Sequence, residues 1–399
     1  MNSEKAKEMV IKAGKRLVES GLIARTWGNV SCRLDEKSFV ITPGGRDYHS
    51  LATGDIVQVK IADLSYSGEI KPSSEKGLHA AVYSLYPGVN FVIHTHQENA
   101  SVIAASEVKS IPVGKAYPSL GGEVPCAKYA LPGTKALAGK VRNVLRAANN
   151  KAVIMKNHGA LCLGNNDHEA FRIAYELEKA CYDFLVKHYL KISGKKSFAP
   201  AEMYAFALLQ KNKTGVANFH QKTKTYCHAA RTEKGFLLYN SEKRLEIQNN
   251  DTEALSPEEA RIYQAVFCEN KNINHILFQN SPEIRAVACS GRALKPLLDD
   301  FAQLVGMQAQ NVETNPPKIA KALKRAPAIF IRNLGALCCG KTKDEATAVG
   351  LIMQKACKAF TGASLLGKVK PINPLESLLM RFVYLKKYSK QAEKNIHKD

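Results

Sequence analysis

The second half of this chain repeats the first in register over two long blocks, and that doubling limits what the chain can fold into more than its composition does. Residues 75–102 shifted by 184 overlay 259–286 without a gap, pairing Glu75 with Glu259, Ala81 and Val82 with Ala265 and Val266, and Asn90 with Asn274. Residues 157–181 shifted by 176 overlay 333–357, so that Gly159-Ala160-Leu161-Cys162 falls on Gly335-Ala336-Leu337-Cys338 and Lys179-Ala180-Cys181 on Lys355-Ala356-Cys357. The shift falls by eight, from 184 to 176, so the chain between the blocks is shorter in the second copy. A chain of 399 residues exceeds one ordinary core. The expectation is two tandem domains, 1–195 and 196–399, joined near residues 193–200.

Within the first copy, apolar residues at helical spacing predict helices over 4–20, 74–85, 99–106, 134–147 and 169–190, the last opened by Asp167 as N-cap. Short apolar runs predict strands over 39–41, 89–93, 111–117, 124–129 and 152–155. Chemistry concentrates where these elements end. His94 and His96 follow the strand at 89–93, and residues two apart on a strand share a face. His158 stands in an Asn157-His158-Gly159 turn after the strand at 152–155, and Glu75 in the first turn of the helix at 74–85. Three neutral imidazoles and one vacant position describe a catalytic metal site better than a structural one. His79, one turn beyond Glu75, reads as a packed or surface histidine.

Carrying the register across, His94 becomes Phe278, His96 becomes Asn280 and His158 becomes Leu334. Phenylalanine and leucine have no lone pair to offer, and a lone asparagine is a poor ligand. The second copy therefore reads as a domain that kept its framework and lost its metal ligands.

Pro72-Ser73-Ser74-Glu75, His94-Thr95-His96 and Asn157-His158-Gly159, with Gly28-Asn29-Val30-Ser31 and Ile41-Thr42-Pro43-Gly44-Gly45, occur in an order that resembles the class II aldolase/adducin family over most of residues 5–185. The resemblance implies an α/β fold, a three-layer α/β/α sandwich with a largely antiparallel central sheet, here present as two tandem copies. It implies a zinc-dependent carbon–carbon lyase, another divalent metal being possible, with His94, His96 and His158 as ligands and Glu75 as general base. Tyr117, reaching in from a neighbouring subunit, would be the acid. The reaction implied is cleavage of a ketose 1-phosphate to dihydroxyacetone phosphate and a short aldehyde. The phosphate would lie among Gly28, Asn29, Thr42, Gly44, Gly45, Ser73 and Ser74, the last two at a helix start, where N–H groups favour an anion. Family enzymes form rings of four, so a homo-oligomer is expected.

Two departures stand out. Gly44 occupies a position that is normally Ser or Thr, removing a hydroxyl donor, and Trp27 is bulkier than the residue usual before Gly28. Glu75 favours an aldolase over the related 4-epimerases, which carry Asp there. A sugar-phosphate dehydratase of the methylthioribulose-1-phosphate type and a non-enzymatic adducin-like scaffold are the alternatives.

The formal charge of +21 invites a nucleic-acid reading, yet Lys and Arg are spread along the chain and no nucleic-acid module accompanies them. The partner expected is a small phosphorylated sugar, with no nucleic acid and no membrane. No apolar run reaches spanning length, and the first residues open an amphipathic helix rather than a secretory signal, so the expected location is cytoplasmic. Ten cysteines without a CxxC spacing read as reduced core residues.

Overall fold

Apolar residues on one stripe of a helix and continuous apolar strands can be buried together only in layers, and the chain builds that arrangement twice. A computed structural model describes residues 1–148, 150–210, 212–220, 228–239, 244–248 and 259–387. They divide into two units: 1–188 with 366–370 and 383–387, and 189–365 with 371–382.

The first unit runs α1 (Ser3–Glu19), β1 (Asn29–Arg33), β2 (Ser38–Ile41), β3 (Val57–Lys60), α2 (Lys76–Leu85), β4 (Phe91–Thr95), α3 (Glu98–Ala105), β5 (Ser110–Pro112), β6 (Glu123–Ala127), α4 (Lys135–Ala148), β7 (Ala152–Met155), β8 (Ala160–Gly164) and α5 (Asp167–Ser193). The strands form one sheet in the order β3-β2-β1-β4-β8-β7-β6-β5. Every neighbouring pair is antiparallel except β6 with β7. All residues of β4, β7 and β8 are buried, as they must be in strands covered by helices on both faces. On one face Leu78 and Val82 of α2 and Leu137, Val141 and Leu145 of α4 pack on Val92, Val153, Met155 and Leu161. Helices α1 and α3 take the other face, α1 against β1 and β2 through its buried stripe Ala6, Val10, Ala13 and Leu17.

The second unit runs α6 (Pro200–Leu209), α7 (Lys213–His220), β9 (His228–Arg231), β10 (Gly235–Tyr239), β11 (Arg244–Gln248), α8 (Glu259–Glu269), β12 (His275–Gln279), α9 (Pro282–Ser290), α10 (Asp299–Leu304), β13 (Asn311–Val312), α11 (Pro316–Leu323), β14 (Ala328–Ile331), β15 (Gly335–Gly340), α12 (Lys343–Leu365) and α13 (Pro374–Lys387). Its sheet order, β11-β10-β9-β12-β15-β14-β13, reproduces the first from β3 to β6. The repeat holds to the residue: Phe91 pairs with Gly164, and His275 with Gly340, at the shifts of 184 and 176 read from the sequence.

An arginine repeats with the strands. Arg33 donates to the carbonyls of Val89, Tyr83 and Tyr86 and lies over the Tyr83 ring. Arg231 donates to those of Ile273, Phe267 and Asn270 and lies over the Phe267 ring. Each guanidinium closes the carbonyl end of the helix before the central strand, satisfying acceptors that the helix itself leaves open. The shortening also has a place. Ala127 opposite Met155 corresponds to Val312 opposite Ile331, a shift of 185 on one side and 176 on the other. The loss therefore lies between these strands, where 14-residue α4 becomes 8-residue α11.

Most element ends shift by one to three residues, β4 running from Phe91 to Thr95 so that it takes in His94, and three differences change how a named residue is placed. The strand expected over 111–117 ends at Pro112, leaving Tyr117 in a turn. Helix α2 begins at Lys76, so Glu75 is its N-cap rather than a first-turn residue. For α5 the capping acceptor is Asn166, whose side chain takes the Glu169 N–H at 2.9 Å, so Asp167 is already helical.

Candidate metal centre

Strand β4 lies between β1 and β8, with His94 opposite Asn29 on one side and Leu161 on the other. The site is built at this end of the three strands. His94 is the penultimate residue of β4, His96 follows the strand, and His158 sits in the β7–β8 turn, closed by His158 N–H to Met155 and Met155 N–H to Gly159. Asn157 takes the left-handed conformation that this turn needs, at φ 59°. Gly159 cannot carry a side chain, because a Cβ there would collide with the Thr95 carbonyl and lie 3.0 Å from the His94 ring. Close approach of backbone to ring is what brings His158 to the other two.

One ring nitrogen from each of His94, His96 and His158 lies within 4.8 Å of the others, all three residues being buried. The His94 Nδ1–H donates to the Ala160 carbonyl at 2.9 Å, which turns the Nε2 lone pair inward, where it accepts from His96 Nε2–H at 2.9 Å. Such an outer hydrogen bond is the usual means of orienting a ligating imidazole. Burial, above all, pushes the His94 ring well below the ordinary imidazole range, so it is neutral as a ligand must be. The three ring nitrogens are close enough together to hold one divalent ion, and they are the only such group among the described residues.

Glu75 completes the cluster. Its Oε1 accepts from His158 Nε2–H at 2.7 Å, its Oε2 accepts from Asn29 Nδ2 at 2.7 Å, and Oε2 stands 3.3 Å from His94 Nε2. Burial by itself raises the Glu75 carboxyl, but the His94 and His158 rings and the hydrogen bonds from His158 and Asn29 outweigh it and hold the group well below the usual carboxylate range. A base lifted toward neutrality, as the reaction chemistry would suggest, is therefore not what this environment makes.

The two loops expected to hold phosphate lie side by side. The Ser73 N–H donates to the Thr42 carbonyl at 3.0 Å and the Gly44 N–H to that of Lys71 at 3.3 Å, with Pro43 bridged to Pro72. The Thr42 hydroxyl accepts from Val30 N–H, and the Ser73 hydroxyl from Glu75 N–H. Gly28 touches the site through its backbone, since a Cβ would meet the His94 carbonyl at 2.7 Å. Ser74 is exposed at the helix start, and Gly45 takes φ 74°.

The family described as Class II Aldolase and Adducin N-terminal domain matches residues 8–185 and again residues 222–361. This chain belongs to the class II aldolase and adducin family. It is 33% identical over 176 residues to the 5-deoxy-D-ribulose 1-phosphate aldolase of Bacillus thuringiensis serovar kurstaki, covering 44% of this chain and 82% of that one. Among solved structures, an L-fuculose 1-phosphate aldolase is 31% identical with a TM-score of 0.44, covering 51% of this chain and 93% of that one. An l-fuculose-1-phosphate aldolase from Thermus thermophilus is 24% identical with a TM-score of 0.41, covering 49% and 99%.

In this class II aldolase family member Tyr117 does not join the cluster. Its hydroxyl donates to Asp183 Oδ2 of α5 at 2.6 Å, and that bond first, then burial, pushes it up to about 12. In the second class II aldolase unit the positions of the ligands are occupied otherwise. Phe278 pairs with Leu337 as His94 does with Leu161, and Leu334 turns back on Ile331 as His158 does on Met155. Asn333 keeps the left-handed φ, 66°, of Asn157.

Sequence reasoning missed His79. Fully buried, it joins Ser31 and Asn29 behind Glu75. Its position one turn along α2 from Glu75 was the only available signal. No described helix is long and apolar enough to cross a membrane.

Proposed function

We propose that the first unit is a divalent-metal-dependent aldolase, with zinc as the metal, that cleaves a ketose 1-phosphate to dihydroxyacetone phosphate and a short aldehyde. The observation that carries this reading is the meeting of three ring nitrogens and the Glu75 carboxylate at one buried point. The relative from Bacillus thuringiensis, an aldolase of a deoxyketose 1-phosphate, supports the reaction class.

His94, His96 and His158 hold the ion, which when bound supplies positive charge next to the substrate carbonyl and so favours an enediolate. The other steps belong to the chain. Gly45 of the loop after β2 and, at the start of α2, Ser73 and Ser74 take the phosphate, with Asn29 and the backbone at Gly28 and Gly44 closing it in and Thr42 holding the loop in shape. Glu75, ionised and within reach of both His158 and Asn29, takes the hydroxyl proton when the carbon–carbon bond breaks and gives a proton back to the enediolate carbon. Tyr117 of a neighbouring copy hands that hydroxyl proton on during cleavage and, in the reverse condensation, protonates the aldehyde oxygen, an assignment that requires a homo-oligomer. The second copy of the sequence, 196–399, is noncatalytic: Phe278 and Leu334 offer no lone pair where the ligands would be.

The test is release of dihydroxyacetone phosphate, followed by coupled reduction, from a panel that includes 5-deoxyribulose 1-phosphate, fuculose 1-phosphate and methylthioribulose 1-phosphate, with and without added zinc. Zinc-dependent release is the expected result. Loss of water from the last substrate without carbon–carbon cleavage would replace the aldolase by a dehydratase, and no turnover together with no bound metal would leave a scaffold.

A further inference from the structure

Behind Glu75 four buried side chains from β1 and α2 form a single file of hydrogen bonds. Tyr83 Oη lies 2.7 Å from Ser31 Oγ, Ser31 Oγ 2.6 Å from His79 Nδ1, His79 Nε2 2.5 Å from Asn29 Oδ1, and Asn29 Nδ2 2.7 Å from Glu75 Oε2. The direction of every bond follows from the last. A carboxylate accepts only, so the Asn29 nitrogen must face it, which leaves the Asn29 oxygen toward His79. His79 must then carry its proton on Nε2 and accept on Nδ1, so Ser31 donates to His79 and Tyr83 to Ser31. All four bonds run in one sense, toward the carboxylate, and such chains polarise one another.

The second unit serves as an internal control. Ser31 opposite Val92 corresponds to Ala229 opposite Ile276, and the shift of 184 turns His79 into Tyr263 and Tyr83 into Phe267. The imidazole and both hydroxyls of the file are gone from their places in the copy that lost the metal ligands. Arg33, which holds the same strand and helix together, is kept as Arg231 with its three carbonyl partners. The framework thus survives without the file, which places the file with the chemistry.

We propose that His79 is a positioning residue: by donating from Nε2 to Asn29 it keeps the Asn29 nitrogen on Glu75, and Ser31 and Tyr83 hold it in the one tautomer able to do so. Burial, which keeps the ring neutral and pushes it down to about 4, agrees with that assignment.

Two arms test this. Side-chain 15N correlation spectra of the full chain, with His79 assigned by its absence in His79→Gln, should show a neutral ring protonated on Nε2, and Ser31→Ala should perturb its Nδ1; a ring protonated on Nδ1 overturns the proposal. The kinetic arm rests on the aldolase reading. His79→Leu should lower kcat about 10–100-fold, the usual cost of losing an outer-shell partner, with a smaller change in KM and unchanged zinc content, while His79→Gln, which keeps an amide donor, recovers most of kcat. Equal losses in the two variants, or none in His79→Leu, would contradict it. If the wild-type chain cleaves no ketose phosphate, the aldolase reading fails while the tautomer still decides the positioning role.

Discussion

The carboxylate of Glu75 and the imidazole of His158 meet at 2.7 Å although 83 residues separate them. One stands at a helix start and the other in a turn between strands, and only the sheet order brings the two ends together. Because Glu75 accepts from this ring and stands beside His94, it shares the place where an ion would sit.

Replacing Glu75 by Gln keeps the shape and removes the base. We expect kcat to fall by roughly 10²–10⁴-fold, the usual contribution of a positioned acid–base group, with zinc still bound. Steady-state rates and metal analysis of the same preparation check both halves. Loss of zinc along with activity would make Glu75 a ligand first.

Gly159 and Gly335 make one comparison. A Cβ at either would run into the carbonyl of the adjacent strand, Thr95 or Gln279. Both Gly159→Ala and Gly335→Ala should destabilise by about 1–3 kcal/mol or more, as overpacking does. Only the first should weaken zinc binding. Denaturation in urea and zinc titration of the two variants separate framework from site.

Gly44 leaves space beside it: a Cβ would come no closer than 3.8 Å to its nearest neighbour, the Pro72 carbonyl. Gly44→Ser therefore fits and restores a hydroxyl to the phosphate loop. The expected outcome is a lower KM for phosphorylated ketoses, by roughly 3–10-fold for one added hydrogen bond of ~1 kcal/mol, with kcat little changed. An unchanged KM in that series would remove the phosphate from this loop.

Acid should weaken the first unit through His79. Its ring titrates at about 4 when folded, against 6.5 for the free side chain, because burial penalises the charged form. Above pH 6.5 neither state carries the proton and the stability is fully present. As pH falls from 6.5 toward 4 the unfolded chain binds a proton that the folded one refuses, and stability drops by up to about 3 kcal/mol. Urea denaturation across that range should show the decline in the wild type and a smaller one in His79→Gln. Equal slopes would show that His79 is not buried neutral.

Much of this was legible in the sequence because it depends on local order. The paired blocks at shifts of 184 and 176 became paired strands, and His94, His96 and His158 came together because each sits at the end of a short apolar run that reads as a strand. What escaped depends on contacts across the fold. His79 is defined by Ser31 and Asn29 on β1, 48 and 50 residues away, and no periodicity in α2 distinguishes it from a packed histidine. Tyr117 lies beyond a strand that stops at Pro112, after a Gly-Lys-Ala run and just before the Pro118 turn. The sign of the Glu75 shift depends on two rings that the sequence places far from it.

The most direct measurement is a zinc titration of the full chain against a chelator of known affinity, in the wild type and in His96→Ala. One tight ion per chain in the wild type, at least about tenfold weaker in the variant, is what convergence of the three imidazoles requires. No tight site, or one that survives the loss of His96 unchanged, would contradict it.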